Sequence, residues 1–159
     1  MRNQLSNFVE LQSKEHHQFE SISCFLKKVV IIKAVIVDDE PYSCDTLSTL
    51  LERHCPEVAV IGICQSGKAA LEKIPYLQPQ LLFLDIEMPH LNGFQLLEKL
   101  NEHNFKLIFT TSYDQYAIKA IRFSAIDYLL KPIDPSELKQ AVQKAIQYTF
   151  SHCPNNWKF

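Results

Sequence analysis

The chain has 159 residues, of which 47% are apolar and 21% charged, and its formal net charge is -2. That is enough for one core of ordinary soluble composition plus some tail. It excludes a general nucleic-acid binder, which needs clustered Lys and Arg, and no apolar run is long enough to cross a bilayer.

Residues 1–28 are polar, with only scattered apolar positions (Phe8, Val9, Phe19, Phe25) and no compact apolar centre of the kind a signal peptide carries. They are expected to form a mobile or loosely helical extension. His16 and His17 read as solvated tail residues, since two adjacent histidines are weak evidence for metal. The five cysteines, Cys24, Cys44, Cys55, Cys64 and Cys153, are odd in number and form no CxxC pair. They read as free thiols in a reducing, cytoplasmic compartment.

Residues 29–37 are a β-branched run broken once by Lys33, which predicts a strand covered on both faces. Pro41 stands where a helix can start; Leu47, Leu50, Leu51 and His54 follow at helical spacing, and Pro56 stops them. Residues 58–64 predict a second strand. Ser66, Gly67 and Lys68 open a helix carrying Ala70, Leu71 and Ile74, with Pro75 and Pro79 expected to close it. Residues 81–84 are a third strand, and Asn92-Gly93 turns into a helix bearing Phe94, Leu97 and Leu100. A fourth strand is predicted over 106–109, a short helix over 116–122 and a fifth strand over 126–130. Asp134 and Ser136 are candidate caps for a last helix with Leu138, Ala141, Val142, Ala145 and Ile146 on one face. The domain is expected to span 29–150, with 151–159 a tail too short for an effector domain.

Five strands separated by helices argue for an α/β fold, a doubly wound parallel sheet with helices on both faces. In such sheets the site lies beyond the carboxyl ends of the strands. After the first strand come Asp38, Asp39 and Glu40; after the third, Asp85, Ile86, Glu87, Met88 and Pro89; after the fourth, Thr110, Thr111 and Ser112; after the fifth, Lys131 and Pro132. Three carboxylates in one crevice repel each other. A hard divalent cation such as Mg²⁺ compensates them, keeping waters while taking carboxylate and phosphate oxygens. Asp85, central in the sheet, is best placed as a nucleophile that forms an aspartyl phosphate. The cation and Lys131 would neutralise charge on the transferring group, and Thr111 offers it a hydroxyl. Singly, each residue has a bland reading: acids after a strand are often solvated, a lone lysine is usually on the surface, and Tyr128 alone is a core aromatic. Their joint placement at the strand ends argues for a site.

Val37-Asp38-Asp39-Glu40-Pro41, Leu84-Asp85-Ile86-Glu87-Met88-Pro89, Phe109-Thr110-Thr111-Ser112 and Asp127-Tyr128-Leu129-Leu130-Lys131-Pro132 resemble the motifs of response-regulator receiver domains, in order. The resemblance covers residues 32–148. The stretch from Ser112 through Ile121, with Ala125 through Pro132, further resembles receivers of LytR/AlgR-type (LytTR) transcription regulators. The resemblance implies a flavodoxin-like (CheY-like) five-stranded sheet and a phosphoryl group accepted on Asp85 from a sensor histidine kinase. It implies Mg²⁺ held by Asp38, Asp39, Asp85 and the Glu87 backbone carbonyl, with Asp39 the more direct of the acidic pair. It gives Thr111 and Lys131 the phosphoryl group, with the Ser112 hydroxyl beside it where the family usually has Ala. Thr111 and Tyr128 would act as the switch, Pro132 would follow a cis bond, and phosphorylation could pair two copies. The protein would be a signalling phosphoacceptor that catalyses its own phosphorylation and dephosphorylation rather than an enzyme.

Two rivals share this chemistry or fold. A haloacid-dehalogenase-like phosphatase wants a second Asp two residues after the nucleophile, where Glu87 stands. A flavin-binding flavodoxin needs a Gly/Ser/Thr loop after the first strand, and Asp38-Asp39-Glu40 would repel its phosphate. LytTR regulators carry a DNA-binding domain after the receiver. None is expected before residue 159, so this chain is not expected to bind DNA itself, and the alternative reading is a truncated regulator.

Overall fold

The computed structural model describes residues 31–100 and 104–150. The extension predicted over 1–28 and the tail over 151–159 lie outside the described residues, as do Cys24 and Cys153. Strands and helices alternate without exception: β1 (Ile32–Val37), α1 (Pro41–His54), β2 (Val58–Cys64), α2 (Gly67–Leu77), β3 (Leu81–Leu84), α3 (Gly93–Leu100), β4 (Lys106–Thr111), α4 (Ala117–Arg122), β5 (Asp127–Leu130) and α5 (Pro135–Phe150). The five strands form one sheet in the order β2-β1-β3-β4-β5, and every pairing is parallel. This is the doubly wound parallel sheet that the alternation predicts, in the flavodoxin-like form that the resemblance implies.

Successive side chains on a strand point to opposite faces, and the core divides accordingly. Val35, Val37, Leu82, Leu84, Leu107 and Phe109 pack with Ala70, Ile74, Phe94, Leu97 and Ala120 under α2, α3 and α4. Ile32, Ala34, Ile36, Leu81, Phe83 and Ile108 pack with Cys44, Leu47, Leu51, Leu138, Ala141 and Val142 under α1 and α5. The near-continuous apolar strands are therefore buried on both sides, as parallel sheets require.

Local chemistry sets the helix starts. Pro41 opens α1 at its first position, where the missing N–H costs nothing. The Ser66 side chain accepts from the Ala69 N–H at the head of α2. Asp134 caps α5, accepting from the Ser136 and Glu137 N–H groups and the Ser136 hydroxyl; Ser136 is thus capped rather than capping. The first strand begins at Ile32, the short helix at Ala117 and the fifth strand at Asp127, each later than predicted, and two further boundaries change for a physical reason. Pro75 does not close α2 but lies inside it, and the helix runs on to Leu77 before Gln78, left-handed at φ 46°, donates its N–H to Ile74. An exposed proline near a helix end forfeits one backbone bond without dislodging the turn. The fourth strand is two residues longer than predicted, so Thr110 and Thr111 are its last members. Pairing with Leu129 and Leu130 of β5 holds both in the ladder.

Candidate functional site

Each strand delivers its polar residue at the same edge of the sheet. Asp38 follows Val37 of β1 and Asp85 follows Leu84 of β3. Val37 and Leu84 are paired in register, and the Asp85 N–H donates to the Val37 carbonyl at 2.8 Å. The two acids are therefore set side by side by the ladder. The β3–α3 connection is drawn tight by Gly93, whose N–H donates to the Ile86 carbonyl. A Cβ at Gly93 would lie 2.4 Å from the Asp85 backbone oxygen, so no larger residue lets α3 start this close to the acid. On the far side, the Lys131 N–H donates to the Thr111 carbonyl at 2.9 Å, locking the ends of β4 and β5 together. The peptide bond between Lys131 and Pro132 is cis.

The carboxylates of Asp38, Asp39 and Asp85 offer oxygens within 4.8 Å of one another. The Lys131 ammonium lies between two of them, 2.7 Å from Asp38 Oδ2 and 2.9 Å from Asp85 Oδ2, and 3.9 Å from Glu40. The other Asp85 oxygen accepts from the Glu87 N–H at 3.3 Å. Asp38 is 1% exposed and Asp85 5%. Burial pushes the Asp38 carboxyl above its usual range despite the Lys131 and Glu40 bonds that pull it down. Burial also pulls the Lys131 ammonium down, but its bonds to Asp38 and Asp85 outweigh this and leave it raised. Asp39 is half-buried and has no partner among the described residues. Three carboxylates facing one ammonium leave a surplus of two negative charges, and hard oxygen donors with that surplus fit a divalent cation.

The hydroxyls of Thr110 and Thr111 are both buried and have no hydrogen-bond partner among the described residues. Such groups are costly unless a ligand satisfies them. Adjacent on the strand, they face opposite layers: Thr110 lines a crevice of about 350 Å³ with Asp38, Lys131 and Leu47, and Thr111 points to the other side. Ser112 is exposed. Tyr128 is half-buried, its ring centroid 6.3 Å from that of Phe109, and its phenol donates to the Tyr113 carbonyl. Burial, then the Asp114 charge, raise that phenol, so it remains a donor. The structure thus brings together Asp38, Asp39, Asp85 and Lys131, and it places the neighbouring Glu87 carboxylate against Tyr116. That last contact joins loops 29 residues apart and leaves no periodic signal in the sequence. Cys44, Cys55 and Cys64 are buried free thiols; burial pushes Cys44 and Cys55 up to about 11, which leaves them unreactive packing groups.

The sequence pattern of the response regulator receiver domain matches residues 34–143, the whole span from β1 into α5. This chain belongs to the response-regulator receiver family. A response regulatory protein of Vibrio vulnificus is 39% identical over 115 residues, covering 72% of this chain and 47% of its own length. The transcriptional regulatory protein BtsR of Escherichia coli K12 is 37% identical over 118 residues, 74% of this chain and 49% of BtsR. The chain therefore spans about half the length of these curated relatives. Among solved structures, the response regulatory domain of mrkE from Klebsiella pneumoniae is 28% identical with a TM-score of 0.68, covering 74% of this chain and 98% of that one. The receiver domain of AraT from Geobacillus stearothermophilus is 31% identical with a TM-score of 0.65, covering 74% of this chain and 95% of that one. The receiver's role is signal transduction, and its acidic cluster suits phosphoacceptor chemistry. No helix among the described residues is long and apolar enough to cross a membrane.

Proposed function

We propose that Asp85 takes a phosphoryl group from a sensor histidine kinase in a Mg²⁺-dependent reaction in the cytoplasm, and that the added charge resets the surface around α4, β5 and α5. The observation that carries this reading is the convergence of Asp38, Asp39 and Asp85 within 4.8 Å with the Lys131 ammonium on two of them. Asp38, Asp39, Asp85 and the Glu87 carbonyl would hold the cation, which when bound neutralises charge on the transferring group. Asp39, without a protein partner, has the most open acceptor capacity.

An oxygen of Asp85 forms the bond to phosphorus while the bond from phosphorus to the kinase's imidazole nitrogen breaks, and its electron pair returns to the ring. Lys131 needs only a small movement from Asp85 Oδ2 to reach a phosphoryl oxygen. The buried Thr111 hydroxyl gains from that oxygen, or from one beside it, the partner it lacks. The Ser112 hydroxyl stands next in line. A phosphoryl group adds roughly two negative charges, so the pull on Thr111 and Lys131 is strong. Their backbones are bonded to each other, and Tyr128 is tied to the loop beyond Thr111 through the Tyr113 carbonyl. Movement of Thr111 is therefore felt by Tyr128, the proposed switch. A bias of a few kcal/mol suffices for such a two-state element. The resulting face is also where two phosphorylated copies would pair.

The test is incubation with a small acyl phosphate and Mg²⁺. A labile phosphorylated species should form, and Asp85→Asn should abolish it. Equal labelling of that variant would show that the acceptor lies elsewhere.

A second reading concerns output. BtsR is a transcriptional regulator by name, and the stretch from Ser112 to Pro132 resembles LytTR-type receivers. On this reading the switch face serves transcription through a separate LytTR-type DNA-binding domain, and residues 31–150 bind no DNA themselves.

A further inference from the structure

The loops that rim Asp85 are joined by side chains outside the acid, hydroxyl and lysine set. Glu87, two residues past Asp85 and exposed, accepts a hydrogen bond from the Tyr116 phenol. Tyr116 stands on a packed platform. Its ring meets Phe94 edge-on with centroids 5.9 Å apart, and Tyr113 in the same way at 6.2 Å. Phe94 is buried, packs on Phe109 at 5.3 Å and Phe123 at 5.2 Å, and carries the Lys119 ammonium 4.2 Å over its face. The phenol is thus aimed before it donates, and little side-chain freedom is lost in making the bond. The bond to Glu87 itself raises the Tyr116 phenol above its usual value, which keeps the donor protonated. The acid on the opposite rim is engaged too: Glu40 accepts from the Ser43 hydroxyl at 2.8 Å.

A loose carboxylate at Glu87 would oppose phosphate uptake. The cleft already holds a surplus of negative charge, and a phosphodonor brings more; like charges at short range repel. We infer that Tyr116 is a positioning residue: it holds the Glu87 carboxylate on the α4 side of the rim, clear of the entering phosphoryl group, and so sets the rate at which Asp85 takes phosphate. Tyr116 makes and breaks no bond in the step. With an acyl phosphate donor, an Asp85 oxygen bonds to phosphorus, the bond from phosphorus to the acyl oxygen breaks, and the donor's carboxylate departs with the electron pair. The inference rests on Asp85 being the acceptor.

The experiment compares uptake from acetyl phosphate with Mg²⁺ in the full chain, its Tyr116→Phe and Glu87→Gln variants, and the double variant. Phe keeps the ring against Phe94 and Tyr113 and removes only the hydroxyl, which donates to Glu87 and also bonds Gln115. Tyr116→Phe should take up phosphate roughly two- to fivefold more slowly, the size expected of one partly exposed charge. The slowing should shrink as salt is raised and disappear in the Glu87→Gln background. A ring that mattered only for packing would slow both backgrounds alike, whatever the salt. That result, or a Tyr116→Phe rate equal to the parent's, would overturn the inference. Labelling that survives Asp85→Asn, or no labelling in any of the four proteins, would instead overturn the acceptor assignment.

Discussion

Replacing Lys131 by Met keeps the aliphatic stem and removes the ammonium that separates two buried acids. Its Nζ is 2.7 Å from Asp38 and 2.9 Å from Asp85, whose side chains are 2% and 8% exposed. Deleting one partner of a buried ion pair costs about 3–5 kcal/mol. The Lys131 side chain is 14% exposed, and water entering from that side discounts the cost to about 2–4 kcal/mol. With a urea slope of about 1.5 kcal/mol/M, the unfolding midpoint of the metal-free protein should fall by roughly 1.3–2.7 M at neutral pH. The pH dependence has a definite sign. Burial already raises Asp38 above the unfolded value of 3.8, and Lys131 is what restrains the rise. Without Lys131 the folded carboxyl rises further and binds its proton more tightly than the unfolded chain does. Stability then falls as pH climbs from 3.8 through the raised folded value, so the penalty is full at neutral pH and shrinks in acid. Mg²⁺ should restore more stability to Lys131→Met than to the parent, since a cation is the other means of separating the acids. Urea titrations followed by far-UV circular dichroism at several pH values measure all of this. A variant as stable as the parent without metal at neutral pH, or a penalty unchanged on acidification, would refute the electrostatic account.

Asp39→Asn should weaken Mg²⁺ binding at least tenfold in calorimetric titration while leaving metal-free stability within about 0.5 kcal/mol, because Asp39 has no protein partner to lose. Gly93→Ala should destabilise by about 1–3 kcal/mol, since its Cβ would meet the Asp85 carbonyl oxygen at 2.4 Å; labelling of the remaining folded protein should also slow, as the acceptor is displaced. Pro75→Ala should raise stability by about 1 kcal/mol in urea titrations, because the new N–H can reach the Leu71 carbonyl within α2.

The sheet was legible because its strands are short apolar runs between helical patterns, and burial on both faces leaves that signature directly in residues such as Val35, Ile36, Leu82 and Phe83. The convergence of Asp38, Asp85 and Lys131 followed from topology alone, since parallel strands must end at one edge. Detail was lost where a local rule met a tertiary one. Pro75 signals a stop, yet the turn around it is kept by Ile74 against the core. Thr110 and Thr111 look like loop residues, yet pairing with β5 extends the strand. Which of Asp38 and Asp39 the lysine would engage depends on the last turn of the backbone, beyond any periodic pattern. The Tyr116–Glu87 bond depends on where two loops meet in space, and no spacing along the chain encodes that.

Only Ala120 of α4 is buried, while Ile118 and Ile121 are 80% and 75% exposed. The helix is thus a light cover resting on the sheet rather than a pillar of the core. Its amides should exchange with deuterium far ahead of those in β1 or β3. A change at the strand ends can therefore swing this segment without unseating Phe83 or Phe109, which lets the protein alter its outward shape while its interior stays solid.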